Sequence, residues 1–505
     1  MSIATIYSRA QYGMDALLVS VEVHLSNGLP NFSIVGLPEA AVRESKDRVR
    51  AALINSNFEF PARRIIVNLA PAELPKQGGR FDLPIALGLL VASKQLEASL
   101  LEGYEFLGEL SLSGELRRST GIFPAAYACH LIGNKLITSF QNQEQLIALN
   151  HSAYLCASHL LEVCAHLNKI KPLASAATVP ARNHSPTNHL SFADIHGQQR
   201  AKRALCIAAA GHHHVLMIGS PGSGKTMLAT RFGSLLTQLS QQQMLETISI
   251  YSIANVANYS HASLTRPFRS PHHTVSTVGL VGGGSTPKPG EISLAHNGVL
   301  FLDEFAEFNR QTLEALREPI ETGVITISRA SAQVIFPARF QLIAAMNPCP
   351  NGCDIDEYGH CQCSQQQLTR YRNKLSAPIL DRIDIQISVP KVPTKELLHS
   401  TGQKNQNWDA FKHRIHNAFE IQIKRQGMSN ALLEGSKLKE ACKLTSDIEI
   451  KTISLLEQLK LSARALHKIL KVARTIADLE QANHITQTHI NEAISYRQFD
   501  RLLKS

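Results

Sequence analysis

The stretch Val215-Leu-Met-Ile-Gly-Ser-Pro-Gly-Ser-Gly-Lys-Thr226 decides how this 505-residue chain is read. Val215 to Ile218 are apolar and read as a buried strand. Gly219, Ser220, Pro221, Gly222, Ser223, Gly224, Lys225 and Thr226 form a glycine-rich loop, and Met227, Leu228, Phe232, Leu235 and Leu236 continue with helical spacing. Strand, loop and helix in that order make a phosphate-binding loop. Its glycines let backbone N–H groups turn onto a triphosphate, and the helix N-terminus adds positive potential. Lys225 can reach the outer phosphates, and the Thr226 hydroxyl can ligate Mg²⁺. The expected cofactors are ATP and Mg²⁺, held at the strand ends of a mostly parallel α/β sheet.

A second apolar run, Val299 to Leu302, ends in Asp303 and Glu304. Asp303 at a strand end can hold Mg²⁺ through water, and Glu304 can polarise an attacking water. A third run, Phe340 to Met346, delivers Asn347 to the same sheet edge, where an amide orients that water. Arg382, in Leu380-Asp-Arg-Ile-Asp384, lies too far along to serve its own loop but suits insertion into a neighbour's site, which implies a ring. Arg464, two residues after the N-cap candidate Ser462, is expected to touch the γ-phosphate as a helical lid closes. A surface salt bridge is the alternative for either arginine.

Composition bounds the rest. Apolar residues make up 44% and charged residues 18%, with no basic-apolar leader and no apolar stretch long enough to span a bilayer, so a soluble, cytoplasmic protein is expected. Cys129, Cys156, Cys164, Cys206 and Cys442 are scattered, unlike a secreted disulfide framework. The net charge of +10 suggests an acidic polymer as partner, and from Lys391 to Ser505 Lys and Arg outnumber Asp and Glu by 19 to 12.

Four segments follow from the patterning. Residues 1–170 alternate strand-like runs (Leu17 to Val23, Arg64 to Leu69) with helical ones (Glu39 to Asn55, Leu83 to Val91, Pro124 to Leu131), a compact α/β domain. Residues 171–190 are rich in Pro, Ala, Ser, Asn and Thr and read as a linker. Residues 191–390 form the nucleotide-binding core. Residues 391–505 read as all-helical, with helices at Trp408 to Gln426, Ser446 to Lys460, Ser462 to Leu479 and Thr486 to Arg497, Ser462 and Thr486 acting as N-caps.

Two insertions are candidates for gripping a polymer. Ser260 to Gly290 is glycine-rich and basic, with Arg266, Arg269, His272, His273 and Lys288, and Val324 to Phe336 reads as a hairpin with Arg329 near its tip. Lys288 and Arg329 are the candidate phosphate-backbone contacts, sequence-independent and salt-sensitive. Cys349, Cys353, Cys361 and Cys363 offer four soft ligands separated by turn-forming residues: they either close a structural Zn²⁺ site or stay reduced thiols. His212, His213 and His214 alternate direction on entering a strand and are expected to pack or face solvent.

The runs Arg266-Pro-Phe-Arg-Ser-Pro-His-His273, Pro289 to Glu304 and Ala345-Met-Asn-Pro-Cys-Pro350 resemble the magnesium-chelatase-like AAA+ ATPases, and the N-terminal extension resembles their ComM/YifB branch. Ala473-Arg-Thr-Ile-Ala-Asp-Leu479 fits the lid of that family. The resemblance implies that Lys225 and Thr226 are Walker A, Asp303 and Glu304 Walker B, Asn347 sensor 1, Arg382 the arginine finger and Arg464 sensor 2. Asp194 to Gln198, with Ile195, would line the adenine pocket. A homo-hexamer acting on single-stranded or branched DNA is implied, as a helicase or branch-migration motor in homologous recombination and natural transformation, with recombination proteins as partners.

Residues 75 to 131 resemble the Lon-protease fold that also occurs in the recombination protein RadA. A Ser-Lys peptidase is not expected, because Arg80 stands where the nucleophile would be and Phe123 near the position of the lysine. Two rival functions remain at this point: a chelatase-like motor for metal insertion into a porphyrin, which would not be expected to carry this N-terminal domain, and an ATP-gated scaffold that remodels a protein.

Overall fold

The computed structural model describes residues 2–149, 153–175, 191–256, 265–284, 287–329, 332–353, 361, 363–393, 408–459 and 462–497. The phosphate loop sits on a five-stranded parallel sheet ordered Phe268–Arg269, Val299–Leu302, Gln341–Met346, Val215–Ile218, Ile385–Ser388. Helices cover both faces, so three of these strands, Val215–Ile218, Val299–Leu302 and Gln341–Met346, are buried throughout. That is why they read as unbroken apolar runs and not as alternating ones. Register brings the strand ends to one edge: Ile218 pairs with Met346, and Leu302 ends opposite Ala344, two residues earlier. Gly219, Asp303 and Asn347 therefore all emerge at the C-terminal edge.

The N-terminal unit has its own core. Strands Ser2–Tyr12, Asp15–Ser26, Arg64–Ala70 and Asn31–Val35 form one sheet, and Tyr104–Leu107, Lys135–Ser139 and Tyr154–Ala157 a second, parallel one. The apolar helix Asp82–Ala92 is sandwiched against them, close enough that a Cβ on Gly88 would come within 2.5 Å of Val23. The expected helix from Glu39 to Asn55 is two pieces, Ala40–Arg43 and Ser45–Asn55. Ser2–Tyr12, not anticipated from the sequence, is an edge strand paired along its whole length with Asp15–Ser26.

This unit is bolted to the nucleotide-binding core. Gly121 N donates to Ser252 O (3.1 Å) and Phe123 N to Ser252 Oγ (3.2 Å) on the helix Gln241–Ala254. Tyr12 Oη donates to Gln333 O (3.2 Å), and Met14 packs into the same core cluster as Val334. Of the expected linker, residues 176–190 lie outside the described residues.

The four expected C-terminal helices fall at Trp408–Gln426, Ser446–Gln458, Ala463–Leu479 and Gln487–Ser495, with Ser462 and Thr486 at the N-cap positions as expected, and a short further helix, Gly435–Ala441, lies between the first two. The helix Ala463–Leu479 buries one face on the helix Gln199–Gly211 and on Trp408–Gln426. Asp478, fully buried, receives Arg425 (2.7 and 2.9 Å), Arg474 (2.9 Å) and Asn430 (2.8 Å). Thr475 meets His213 Nε2 at 2.7 Å. In the run Ala473 to Leu479, Arg474 and Asp478 thus knit the lid helices to one another, and Thr475 ties the lid to His213 at the start of the central strand.

Candidate nucleotide site and the cavity at the far sheet edge

Local strain and close approach explain the loop's glycines. A Cβ on Gly219 would lie 2.2 Å from Val389 O, while Gly222 and Gly224 hold φ of 77° and 93° with open space beside them. Lys225 Nζ donates to Gly219 O (2.7 Å), Ser220 O (3.0 Å) and Asn347 Oδ1 (3.3 Å), and burial lowers its pKa. Thr226 Oγ1 donates to Asp303 Oδ2 at 2.7 Å. Ser223 Oγ is buried without a hydrogen-bond partner among the described residues. The donor set fits a Mg²⁺-bound triphosphate: an ammonium, a hydroxyl beside a carboxylate, and an orphaned hydroxyl all line the loop.

Glu304 follows Asp303 in the left-handed region, φ 51°, its N–H donating to Asp303 Oδ1 (2.9 Å). That turn carries its carboxylate off the strand to His273 Nδ1 at 3.0 Å. His273 was read only as part of a basic insertion; nothing in the sequence pairs it with Glu304. Asn347 is held in place from behind by Tyr371 Oη, which donates to Asn347 O (3.1 Å). Ile195 is buried, and the adjoining Gln198 side chain donates to Ser223 O (3.3 Å) and to Pro390 O, which lays the segment Asp194 to Gln198 against the loop.

Arg382 and Arg464 lie elsewhere. Both line a cavity of about 940 Å³ bordered by His214, Gly298, Gln341 and Asp384. These residues mark the N-terminal ends of the strands, one strand length, roughly 13 Å, from the loop edge. For Arg382 this agrees with a residue that does not serve its own loop. Arg464, expected to touch the γ-phosphate as the lid closes, lies at this far edge and away from its own chain's loop, since Lys468, one turn on, donates to Asp384 Oδ1 (2.5 Å) and Arg382 O (2.8 Å).

Of the three histidines only His213 is enclosed, while His212 and His214 are half-buried at the wall of this cavity. His213 is fully buried, His214 Nδ1 accepts from Leu342 N (3.0 Å), and burial pushes His212 down to about 3 and His214 down to about 4, so all act as neutral braces.

Of the basic insertion, Arg266 and Arg269 are spent internally. Arg266 donates to Thr237 O and Asn297 O (2.7 Å each) and Arg269 grips Glu291 at 2.7 Å through both nitrogens. Lys288 remains exposed, in a two-stranded ribbon with Gly282–Gly283. The expected hairpin pairs Val324–Arg329 with Ala332–Pro337, and a Cβ on Gly282 would lie 3.2 Å from its Ile327, so the two ribbons are packed together. The Arg329 side chain lies outside the described residues.

The Sγ atoms of Cys349, Cys353, Cys361 and Cys363 lie within 4.8 Å of one another. A tetrahedral thiolate site needs that closeness, with S–S separations set by Zn–S bonds near about 2.3 Å. A Cβ on Gly352 of this knuckle would lie 2.6 Å from Pro221 of the phosphate loop. In the N-terminal unit Arg80 is buried and donates to Thr120 O (2.8 Å), burial lowering its pKa to about 10, and Phe123 is fully buried. Neither side chain can act as a nucleophile or as its base.

A parallel sheet with the phosphate loop on its fourth strand, two acids and an amide at the same edge, and a helical lid defines a AAA+ nucleotide-hydrolase fold. The family model described as magnesium chelatase, subunit ChlI, matches residues 191–397, its C-terminal model 406–497, and a further ChlI model 21–142. The chain is 49% identical over its full length to "Competence protein ComM" of Haemophilus influenzae, covering 99% of that protein. It is 47% identical to "Uncharacterized protein YifB" of Escherichia coli, covering 98% of it. "Lon protease 2" of Bacillus subtilis is 28% identical over 183 residues, 32% of this chain and 33% of that protein. The chain belongs to the ComM/YifB family of magnesium-chelatase-like AAA+ ATPases. No helix among the described residues is long and apolar enough to cross a membrane.

Proposed function

We propose that the chain is a Mg²⁺-dependent ATPase that works as a ring, a homo-hexamer, and moves along DNA as a helicase or branch-migration motor in homologous recombination, including that of natural transformation. The separation of Lys225, Asp303, Glu304 and Asn347 from Arg382 and Arg464 carries this reading. Two half-sites at opposite sheet edges of one chain are complete only when copies meet head to tail. In this reading Lys225 binds the β- and γ-phosphates, Asn347 and Glu304 hold and polarise the attacking water, and Arg382 and Arg464 of the adjacent copy neutralise transition-state charge. Mg²⁺ on Thr226 and Asp303 would supply charge neutralisation across the phosphates.

Exposed Lys288 and the hairpin ending at Arg329 support a grip on the DNA backbone, and the charge of +10 supports a polyanionic partner. The four clustered thiols support a structural Zn²⁺ that braces the phosphate loop through Gly352 and Pro221. The N-terminal unit, without nucleophile or base, is read as a noncatalytic platform. The test is steady-state ATP hydrolysis with and without single-stranded and branched DNA at two salt concentrations. Stimulation that fades with salt supports the motor, and turnover indifferent to DNA in an assembled, active protein sinks it.

A further inference from the structure

Arg382 is already engaged within its own chain. Its Nη2 lies 2.5 Å from Glu321 Oε1, and its Nη1 donates to Pro378 O (2.7 Å). The two partners differ in how firmly they are held. The Arg382 side chain is 11% exposed and braced by a backbone carbonyl, whereas that of Glu321 is 57% exposed. When a stronger anion arrives, the arginine stays and the glutamate leaves.

Glu321 also sits at a telling place in the chain. It belongs to the short helix Arg317–Thr322, which ends at Gly323 (φ 71°) and runs directly into the hairpin Val324–Arg329 and Ala332–Pro337. The other leg of that hairpin returns to Ala338, whose N–H donates to Gly323 O (2.8 Å), and to Arg339. Both legs, Gly323 with Ala338 and Arg339, line the same cavity as Arg382 and Arg464. The root of the candidate DNA-gripping hairpin and the arginine aimed at a neighbour's phosphates thus share one wall.

We infer that Glu321 is a latch that holds Arg382 until the triphosphate of a second copy of this chain enters the cavity, and whose release shifts the root of the hairpin. A phosphate bears more charge and more acceptor oxygens than a carboxylate, and so takes the guanidinium. Nucleotide arrival at one copy is then transmitted to the adjacent copy's hairpin through one exchanged ion pair. The inference rests on Arg382 serving a neighbour's site, and its test separates the two.

ATP hydrolysis by the full-length protein is measured for Glu321→Gln and Arg382→Ala, with and without single-stranded DNA, as KM and kcat. Removing the competitor for Arg382 is expected to lower KM for ATP about two- to fivefold, the range spanned by an exposed ion pair. It is also expected to shrink the ratio of DNA-stimulated to basal turnover, because the hairpin root is no longer held. Glu321→Gln keeps the shape of an exposed side chain, and its melting temperature is checked against the parent. An unchanged KM and stimulation ratio in Glu321→Gln, alongside an inactive Arg382→Ala, overturns the latch and leaves the finger. A lowered kcat with KM unchanged overturns it too, as a merely structural role. An Arg382→Ala protein that still turns over ATP overturns the reading beneath it.

Discussion

Lys468 of the lid helix meets Asp384 at the start of the last core strand, Nζ to Oδ1 2.5 Å, and the Asp384 side chain is 4% exposed. Burial by itself would raise the pKa of Asp384, but the Lys468 ammonium, with His213 Nδ1 3.6 Å from Oδ2, holds it well below the usual carboxylate range. His214 N also donates to its Oδ2 (3.0 Å). Asp384→Asn leaves a buried ammonium without its counter-charge, so a loss of about 3–5 kcal/mol in urea unfolding is expected. The folded pKa is depressed, so the contribution is fully present above the unfolded value near about 3.9 and drains away as pH falls below it. The variant is therefore expected to lose most of its stability difference from the parent in strong acid, and a pH-independent difference would contradict this.

Glu304 is expected to act on water and not on binding. Glu304→Gln should bind ATP with near-parental affinity yet hydrolyse it about 10²–10⁴ times more slowly. Equilibrium binding and steady-state turnover check this together; a weakened affinity with intact turnover would move the base elsewhere. His273→Ala, which frees the Glu304 carboxylate, should leave ATP affinity alone and change turnover.

The opposite-edge arrangement makes a prediction about mixtures. Lys225→Ala and Arg382→Ala proteins should each be inactive. Mixed in equal amounts, they should regain part of the activity, because some interfaces then pair an intact loop with an intact finger. Arg464→Ala should behave like Arg382→Ala in this mixing. If Arg464 served its own chain, mixing it with Lys225→Ala would instead restore nothing beyond the background.

For the cysteine knuckle, metal analysis of protein purified without chelator is expected to give one zinc per chain. Cys353→Ser should lose the metal and weaken ATP binding, since Gly352 of the same knuckle abuts Pro221. A metal-free parent with full ATP affinity would show the thiols to be no more than close neighbours.

Lys288→Ala and Arg329→Ala should leave basal hydrolysis intact while weakening DNA binding uniformly across sequences. Each lost phosphate contact should flatten the salt dependence by about one unit of slope. A steep slope unchanged in the double variant would place the grip on other residues.

What the sequence determined by itself was everything whose cause is local. The run Val215 to Thr226 specified strand, loop and helix because glycine geometry and apolar burial act over a few residues. Val299 to Glu304 and Phe340 to Asn347 specified buried parallel strands with polar ends for the same reason, and Ser462 and Thr486 marked helix starts through their own hydroxyls. Only the tertiary structure decided which edge of the sheet the lid addresses. Arg464 looks the same in sequence whether its helix docks by the loop or at the far strand ends, and the choice is made by Lys468 and Thr475, each paired with a core residue distant in the chain. The same holds for His273 beside Glu304 and Glu321 on Arg382: hydrogen bonds and ion pairs act through a few ångströms of space, and no spacing along the chain records them.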